Sequence, residues 1–152
     1  MVAMDPTQLE EFLVAAFPGS RISYRVTRSD DDGVELVQPG DSIQLRPGGT
    51  ISGPTLMTLA DTVAYLAVVS RIGPEPLTVT SHLAIDFLRK PPPGGLRATG
   101  EILKLGRRQA VIAIRIYGEA ASEGAGGEMV AYATSTYALP ATPTVPRADL
   151  PD

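Results

Sequence analysis

The chain has no cysteine, which excludes disulfides and thiolate-held metals. Its only histidine is His82, so one chain cannot assemble a histidine-rich metal site. An excess of one charge is also lacking. Thirteen basic residues against 17 acidic ones leave a net charge of -4, and the basic residues are scattered, so nothing suggests a nucleic-acid surface. The opening MVAMDPTQLEEF carries acids where a secretory leader needs a basic start and an apolar run. The longest apolar stretch, residues 56–69, is interrupted by Asp61 and falls short of a bilayer span. No internal repeat is visible. The expectation is a soluble cytoplasmic protein with no metal, no cofactor, and no membrane or nucleic-acid partner. With 152 residues, 43% hydrophobic and 20% charged, it fits one domain with one core.

What is present reads as an α+β arrangement. Asp5-Pro6-Thr7-Gln8 is a helix start with a capping box, followed by Leu9, Phe12, Leu13 and Ala16 at helical spacing. Pro18-Gly19 ends that short helix. Residues 21–28 alternate Ile22, Tyr24 and Val26 against polar positions, residues 29–33 turn, and an apolar run resumes at 34–37, which together predict a hairpin. A loop region follows, bracketed by Pro39-Gly40 and Pro47-Gly48-Gly49 and carrying Arg46. Gly53-Pro54 opens the principal helix, which runs to about Ile72 and stops at Gly73-Pro74. It is apolar nearly all round, so it is expected in the concave face of a strongly curved sheet. Strands are expected over 77–88, 96–105, 109–118 and 128–139, with a tight turn at Gly106-Arg107-Arg108. Residues 119–127 read as a small-residue loop. The expected domain covers residues 1–139, with a disordered Pro-rich tail over 140–152.

Asp61 is the only charged residue between Arg46 and Arg71. A lone carboxylate on a buried helix is costly unless paired, hydrated or functional. Thr58, Asp61, Thr62 and Tyr65 fall at i, i+3, i+4 and i+7, a narrow polar seam that must face a cavity or another subunit. The unpaired N–H groups at the helix start, beginning with Gly53, could hold a thioester carbonyl and the oxyanion developing on it. Asp61 could then serve as base or nucleophile. The two lie about two helical turns apart, roughly 11 Å, so one chain cannot aim both at a single carbonyl, whereas two chains about a two-fold axis could. Asp61 could equally be a structural partner of Thr58 or Arg46, and Gly-Pro is also ordinary helix punctuation.

The stretch Ser52-Gly53-Pro54-Thr55-Leu56-Met57-Thr58-Leu59-Ala60-Asp61-Thr62 resembles the helix start of the PaaI-like hotdog thioesterases, usually His-Gly-Gly, a few residues, then Leu-Ala-Asp-Thr. Ile85-Asp86-Phe87-Leu88-Arg89 resembles the strand after that helix, and Leu105-Gly106-Arg107 the later hairpin. The resemblance runs from about Gly49 to Leu139. It implies a hotdog fold, a long central helix wrapped by a curved antiparallel sheet, in homodimers that often pair into homotetramers, with acyl-CoA as substrate and a site between subunits. Carried over, Asp61 matches the catalytic carboxylate, and Gly53 the glycine whose N–H polarises the thioester carbonyl. Thr80 or Ser81 would place water. CoA carries phosphates, and Arg89, Lys90, Lys104, Arg107 and Arg108 are candidates to meet them. Ser52 stands where the family has histidine, and Arg46 where it has asparagine. These two departures bear on substrate and water positioning, and Arg46 could pair with Asp61 or take a substrate carboxylate. They also motivate a second reading, a non-catalytic acyl-CoA binder on the same fold. A third reading, a dehydratase, generally needs a histidine beside the helix acid. His82 is the sole candidate, and it alternates to the face opposite Leu83 and Ile85.

Overall fold

A computed structural model of the protein describes residues 2–119 and 127–146. Helix α1 (Pro6–Ala16) starts where the capping box predicts: Asp5 Oδ1 accepts from the Gln8 N–H and Gln8 Oε1 from the Asp5 N–H, both at 2.9 Å. Its buried residues are Leu9 and Leu13. The hairpin of β1 (Arg25–Asp30) and β2 (Gly33–Gln38) begins four residues later than the alternation suggests. Val37 is the last β2 residue to pair with β1, opposite Arg25, and Pro39 follows two residues later. Residues 21–24 therefore have no strand to pair with. The loop region around Arg46 contains a 3₁₀ turn, Gly40–Ser42, and a small ladder of β3 (Leu45–Arg46) and β4 (Thr50–Ile51).

Helix α2 (Gly53–Ile72) has the expected boundaries. Ser52 caps it, accepting from the Thr55 N–H at 3.3 Å, and Gly73 ends it at φ +97°, a value that favours glycine. By length and hydropathy alone α2 could cross a membrane, but most of it is buried within the protein's own fold.

The sheet comprises β1 and β2 with β5 (Val79–Phe87), β6 (Leu96–Leu105), β7 (Gln109–Gly118) and β8 (Met129–Ala138), in the order β1-β2-β6-β7-β8-β5, every neighbour antiparallel. The β6–β7 hairpin closes at residues 106–108 as expected. Leu36, Ala98, Ile112, Ile114, Ala131 and Ala133 join α2 in a single buried core. Small residues let the helix come close: a Cβ on Gly100 would sit 3.0 Å from the Val63 carbonyl oxygen of α2. This is the hotdog arrangement, a central helix wrapped by a curved antiparallel sheet, preceded by a short helix.

Two departures bear on the site. Strict alternation along the expected strand 77–88 would put Leu77, Val79, Ser81, Leu83, Ile85 and Phe87 on one face, and it fails at Ser81, where the β5–β8 register shifts between Thr80 and His82. Such a bulge reverses the phase of a strand. The core-facing residues Ala131, Ala133, Ser135 and Tyr137 of β8 pair with Phe87, Ile85, Leu83 and Thr80, so Thr80, not Ser81, shares the inner face. The second departure concerns the tail. Over 140–146 the chain folds back: the Thr144 N–H and hydroxyl each donate to the carboxylate of Glu75, both at 2.7 Å. A buried carboxylate requires such donors, and Glu75 is fully buried. Residues 120–126 of the expected loop and 147–152 of the expected tail lie outside the described residues.

The two sheet edges differ. On β1 the Val26 N–H donates to Glu10 Oε1 of α1 at 2.6 Å, so α1 covers part of that edge. On β5 Val79 and Phe87 remain exposed.

Candidate active site

Asp61 lies just before the middle of α2, half-buried, on the seam that the sequence predicts. Neither Arg46 nor Thr58 is its partner. Its Oδ1 accepts from the Thr80 hydroxyl at 2.6 Å, and the Tyr137 hydroxyl lies 2.5 Å from the same oxygen and 2.8 Å from the Asp61 carbonyl. Oδ2 takes no hydrogen bond among the described residues. The seam threonines bond to their own helix: Thr58 Oγ1 donates to the Pro54 carbonyl at 3.0 Å, and Thr62 Oγ1 to the Thr58 carbonyl at 2.7 Å. The Thr62 hydroxyl also lies 3.4 Å from the Tyr24 hydroxyl.

Rings back the carboxylate. Tyr137 stacks on Tyr65 at 6.0 Å between centroids, and Phe12 and Phe17 of the α1 region pack on Tyr65 at 5.6 and 6.1 Å. Burial, reinforced by the hydrogen bond to Asp61, pushes the Tyr137 phenol far above the usual tyrosine range. Burial and then the Glu75 carboxylate raise Tyr65 to about 12. Burial raises Tyr24 too, partly offset by Thr62. In front of Asp61 opens a broad cleft of about 2030 Å³, mainly apolar, walled by the seam, the start of β5, and α1 with residues 17–24.

The family model for the thioesterase superfamily matches residues 48–125, 78 of the 152. The chain belongs to the thioesterase superfamily. Among solved structures, a proposed thioesterase from a Silicibacter species is 32% identical, covering 92% of this chain and 94% of its own, with a TM-score of 0.80. A thioesterase from Haemophilus influenzae (20% identity, 90% of each chain, TM-score 0.71) and zebrafish thioesterase superfamily member 2 (20%, 91% of this chain and 100% of that one, 0.74) share the fold. No curated protein matches.

Within this thioesterase-superfamily chain the remaining sequence candidates divide. Gly53 is the first residue of α2, and a Cβ there would lie 3.4 Å from the Phe87 ring. Gly53 therefore lies toward the Phe87 end of β5, while Asp61 lies by Thr80 at the other end. Ser52 Oγ is occupied by the cap and by Thr55 Oγ1 at 3.0 Å. Arg46 is exposed on β3. Ser81, in the bulge, donates to the Thr136 carbonyl at 3.1 Å. His82 pairs with Thr136, one step out of phase with the inward pair Leu83–Ser135, which puts it on the outer face, where a dehydratase histidine could not serve Asp61. The basic candidates are all exposed and form two groups. Lys104, Arg107 and Arg108 sit at the β6–β7 hairpin, and the Arg108 carbonyl accepts from the Leu139 N–H at 2.9 Å. Arg89 and Lys90 follow the far end of β5, where Arg89 donates to the Met129 carbonyl at 2.8 Å and pairs with Glu128 at 3.3 Å. Sequence reasoning missed Tyr137. The available signal is a tyrosine ending the inward row Ala131, Ala133, Ser135, since a buried phenol needs a partner for its hydroxyl.

Proposed function

We propose that the protein hydrolyses an acyl-CoA thioester at a site completed by two copies of the chain, with Asp61 as general base or nucleophile. The observation that carries this reading is a carboxylate held through one oxygen, by Thr80 and Tyr137, at the wall of an apolar cleft. As a base, Asp61 takes a proton from water while the water oxygen bonds to the thioester carbon. The carbonyl oxygen becomes an oxyanion, stabilised by the N–H at a helix start. Collapse breaks the carbon–sulfur bond, the proton passes from Asp61 to the departing sulfur, and the acid and free thiol leave. As a nucleophile, Asp61 bonds to the carbon and expels the thiolate, leaving an anhydride that water cleaves.

The oxyanion donor comes from the partner. The exposed β5 edge is an open strand, and an antiparallel two-fold pairing of β5 with its copy continues the sheet. Such a pairing sets the Phe87 end of one strand beside the Thr80 end of the other. Gly53 lies by Phe87 and Asp61 bonds Thr80, so the N–H of one chain meets the carboxylate of the other. The same pairing brings Arg89 and Lys90 of one chain toward Arg107 and Arg108 of the other, gathering the two basic groups at one cleft mouth for the CoA phosphates.

The test is hydrolysis across short, medium, long and aryl acyl-CoAs. Asp61→Asn should lower kcat on the best substrate by about 10²–10⁴ with an unshifted melting curve, because the amide oxygen still accepts from Thr80 and Tyr137. Activity preserved per folded molecule would remove Asp61 from the mechanism, and a stable monomer by light scattering would remove the shared site. The occupied Ser52 and exposed Arg46 favour a second reading, acyl-CoA binding without hydrolysis. Wild-type protein that binds the panel but cleaves none of it establishes that reading instead.

A further inference from the structure

We propose that Tyr137 is a positioning residue for Asp61, holding Oδ1 so that Oδ2 is the oxygen that works on the substrate. The inference rests on Asp61 being the working carboxylate and adds which oxygen acts and what selects it.

Two hydroxyls converge on Oδ1, from Thr80 at 2.6 Å and from Tyr137 at 2.5 Å, and none of the described residues reaches Oδ2. The two donors are unequal. Thr80 is exposed and its side chain has one torsion to set. Tyr137 is 2% exposed, its ring is fixed against Tyr65, and its hydroxyl spans both Oδ1 and the Asp61 carbonyl. Both acceptors of this buried phenol, Oδ1 and the carbonyl, belong to Asp61, so it supplies the rigid contact. Burial, and then the contact with Asp61, raise its pKa, so the phenol keeps its proton and is the donor in this contact. An oxygen already accepting two hydrogen bonds is a poor base and a poor nucleophile. Reaction at Oδ2 avoids breaking either bond, and holding the carboxylate in one orientation spares the reorganisation that a free carboxylate would undergo at each turnover.

A core tyrosine that merely satisfied its hydroxyl would matter to folding and not to kcat, and Tyr137→Phe separates the two. The ring, the stack and the volume stay, and one hydroxyl goes. We expect kcat to fall about tenfold with KM within about twofold of wild type, the pattern of an interaction used only in the transition state. A crystal structure of the variant should show the Asp61 carboxylate turned or in more than one rotamer. Wild-type kcat in a folded Tyr137→Phe protein, or a change confined to KM, overturns the proposal. So does a wild-type crystal structure in which the Tyr137 hydroxyl is beyond hydrogen-bond reach of Oδ1, a measurement that needs no variant to fold. Asp61→Asn run beside it separates the two levels. An active Asp61→Asn sinks the carboxylate mechanism itself, whereas an inactive Asp61→Asn with an unaffected Tyr137→Phe sinks only the positioning role.

Discussion

Thr80 and Tyr137 are cross-strand neighbours in the β5–β8 ladder, and their hydroxyls meet on a single oxygen of Asp61. Thr80 reaches that oxygen because β5 carries one extra residue, Ser81, in its pairing with β8. Without the bulge, strict alternation would place Ser81 on the helix-facing side and turn Thr80 away. The bulge therefore chooses which hydroxyl serves the carboxylate.

Thr80→Val tests that choice. Valine keeps the branched shape and removes the donor. We expect kcat to fall about tenfold, the equivalent of about 1.4 kcal/mol in the barrier, with KM little changed. Ser81→Ala loses only the bond to the Thr136 carbonyl and should leave steady-state kinetics at wild-type values. Equal losses from the two substitutions would remove the special role of Thr80.

The parts of the fold that were legible in the sequence are those fixed by neighbours in the chain. The Asp5–Gln8 capping box, the Ser52–Gly73 limits of α2 and the turn at 106–108 each depend on a few adjacent residues, and each stands where expected. The seam was legible too, because helical spacing alone brings Asp61 to one face. Its partners were not. Tyr137 is 76 residues away from Asp61, and only the strand order β7-β8-β5 brings β8 beside the helix acid. The bulge leaves no mark, since Thr80 and Ser81 are both small hydroxyl residues and either fits the pattern. The contact that Thr144 makes with Glu75 was not legible in the composition of 140–146 either. Proline and alanine say nothing about a buried acid elsewhere, and it is Glu75 that draws Thr144 in.

That latch makes a stability prediction. Glu75→Gln keeps the size of the side chain but replaces one acceptor oxygen with a donor facing the Thr144 donors. An unsatisfied buried polar group costs about 1–3 kcal/mol, so thermal unfolding should shift down by several degrees. Thr144→Val should give a smaller shift, and the double variant should lose less than the two added together, because both act on one contact. Strictly additive losses would show that Glu75 does its work without Thr144.

The buried rings predict how the protein meets alkali. A folded-state pKa raised above the unfolded value gives stability that is complete below the unfolded pKa and is lost as pH climbs toward the folded one. Tyr65 rises from 10.0 to about 12, and Tyr137 rises further. Unfolding free energy should therefore hold steady up to about pH 10 and decline from there toward 12. Tyrosinate absorbance near 295 nm should show a fraction of the tyrosines ionising only as the fold is lost. If all five tyrosines titrated together near 10 in the folded protein, Tyr65 and Tyr137 would have to be solvated.

The basic residues give the test that joins site to assembly. Arg107 and Arg108 lie at one end of the sheet and Arg89 and Lys90 beyond the other, nine strand residues away along β5, about 30 Å at the rise of an extended strand. Within one chain they cannot share a CoA. Across a β5–β5 dimer they converge. Arg107→Ala with Arg108→Ala should raise KM severalfold and leave kcat nearly intact, because phosphate contacts far from the carbonyl hold ground and transition states alike. Arg89→Ala with Lys90→Ala should do the same, although those residues lie at the end of the sheet remote from Asp61 in their own chain. Co-expressing the two double variants, each with a different affinity tag, allows the mixed dimer to be isolated. One of its two clefts then loses all four basic residues, and the other keeps all four. The mixed dimer should saturate in two phases, one with about half the wild-type kcat at the wild-type KM from the intact cleft, and one with the remaining half at a raised KM from the other. If the isolated mixed dimer shows only a raised KM, the four residues do not combine across subunits, and the shared cleft mouth is wrong.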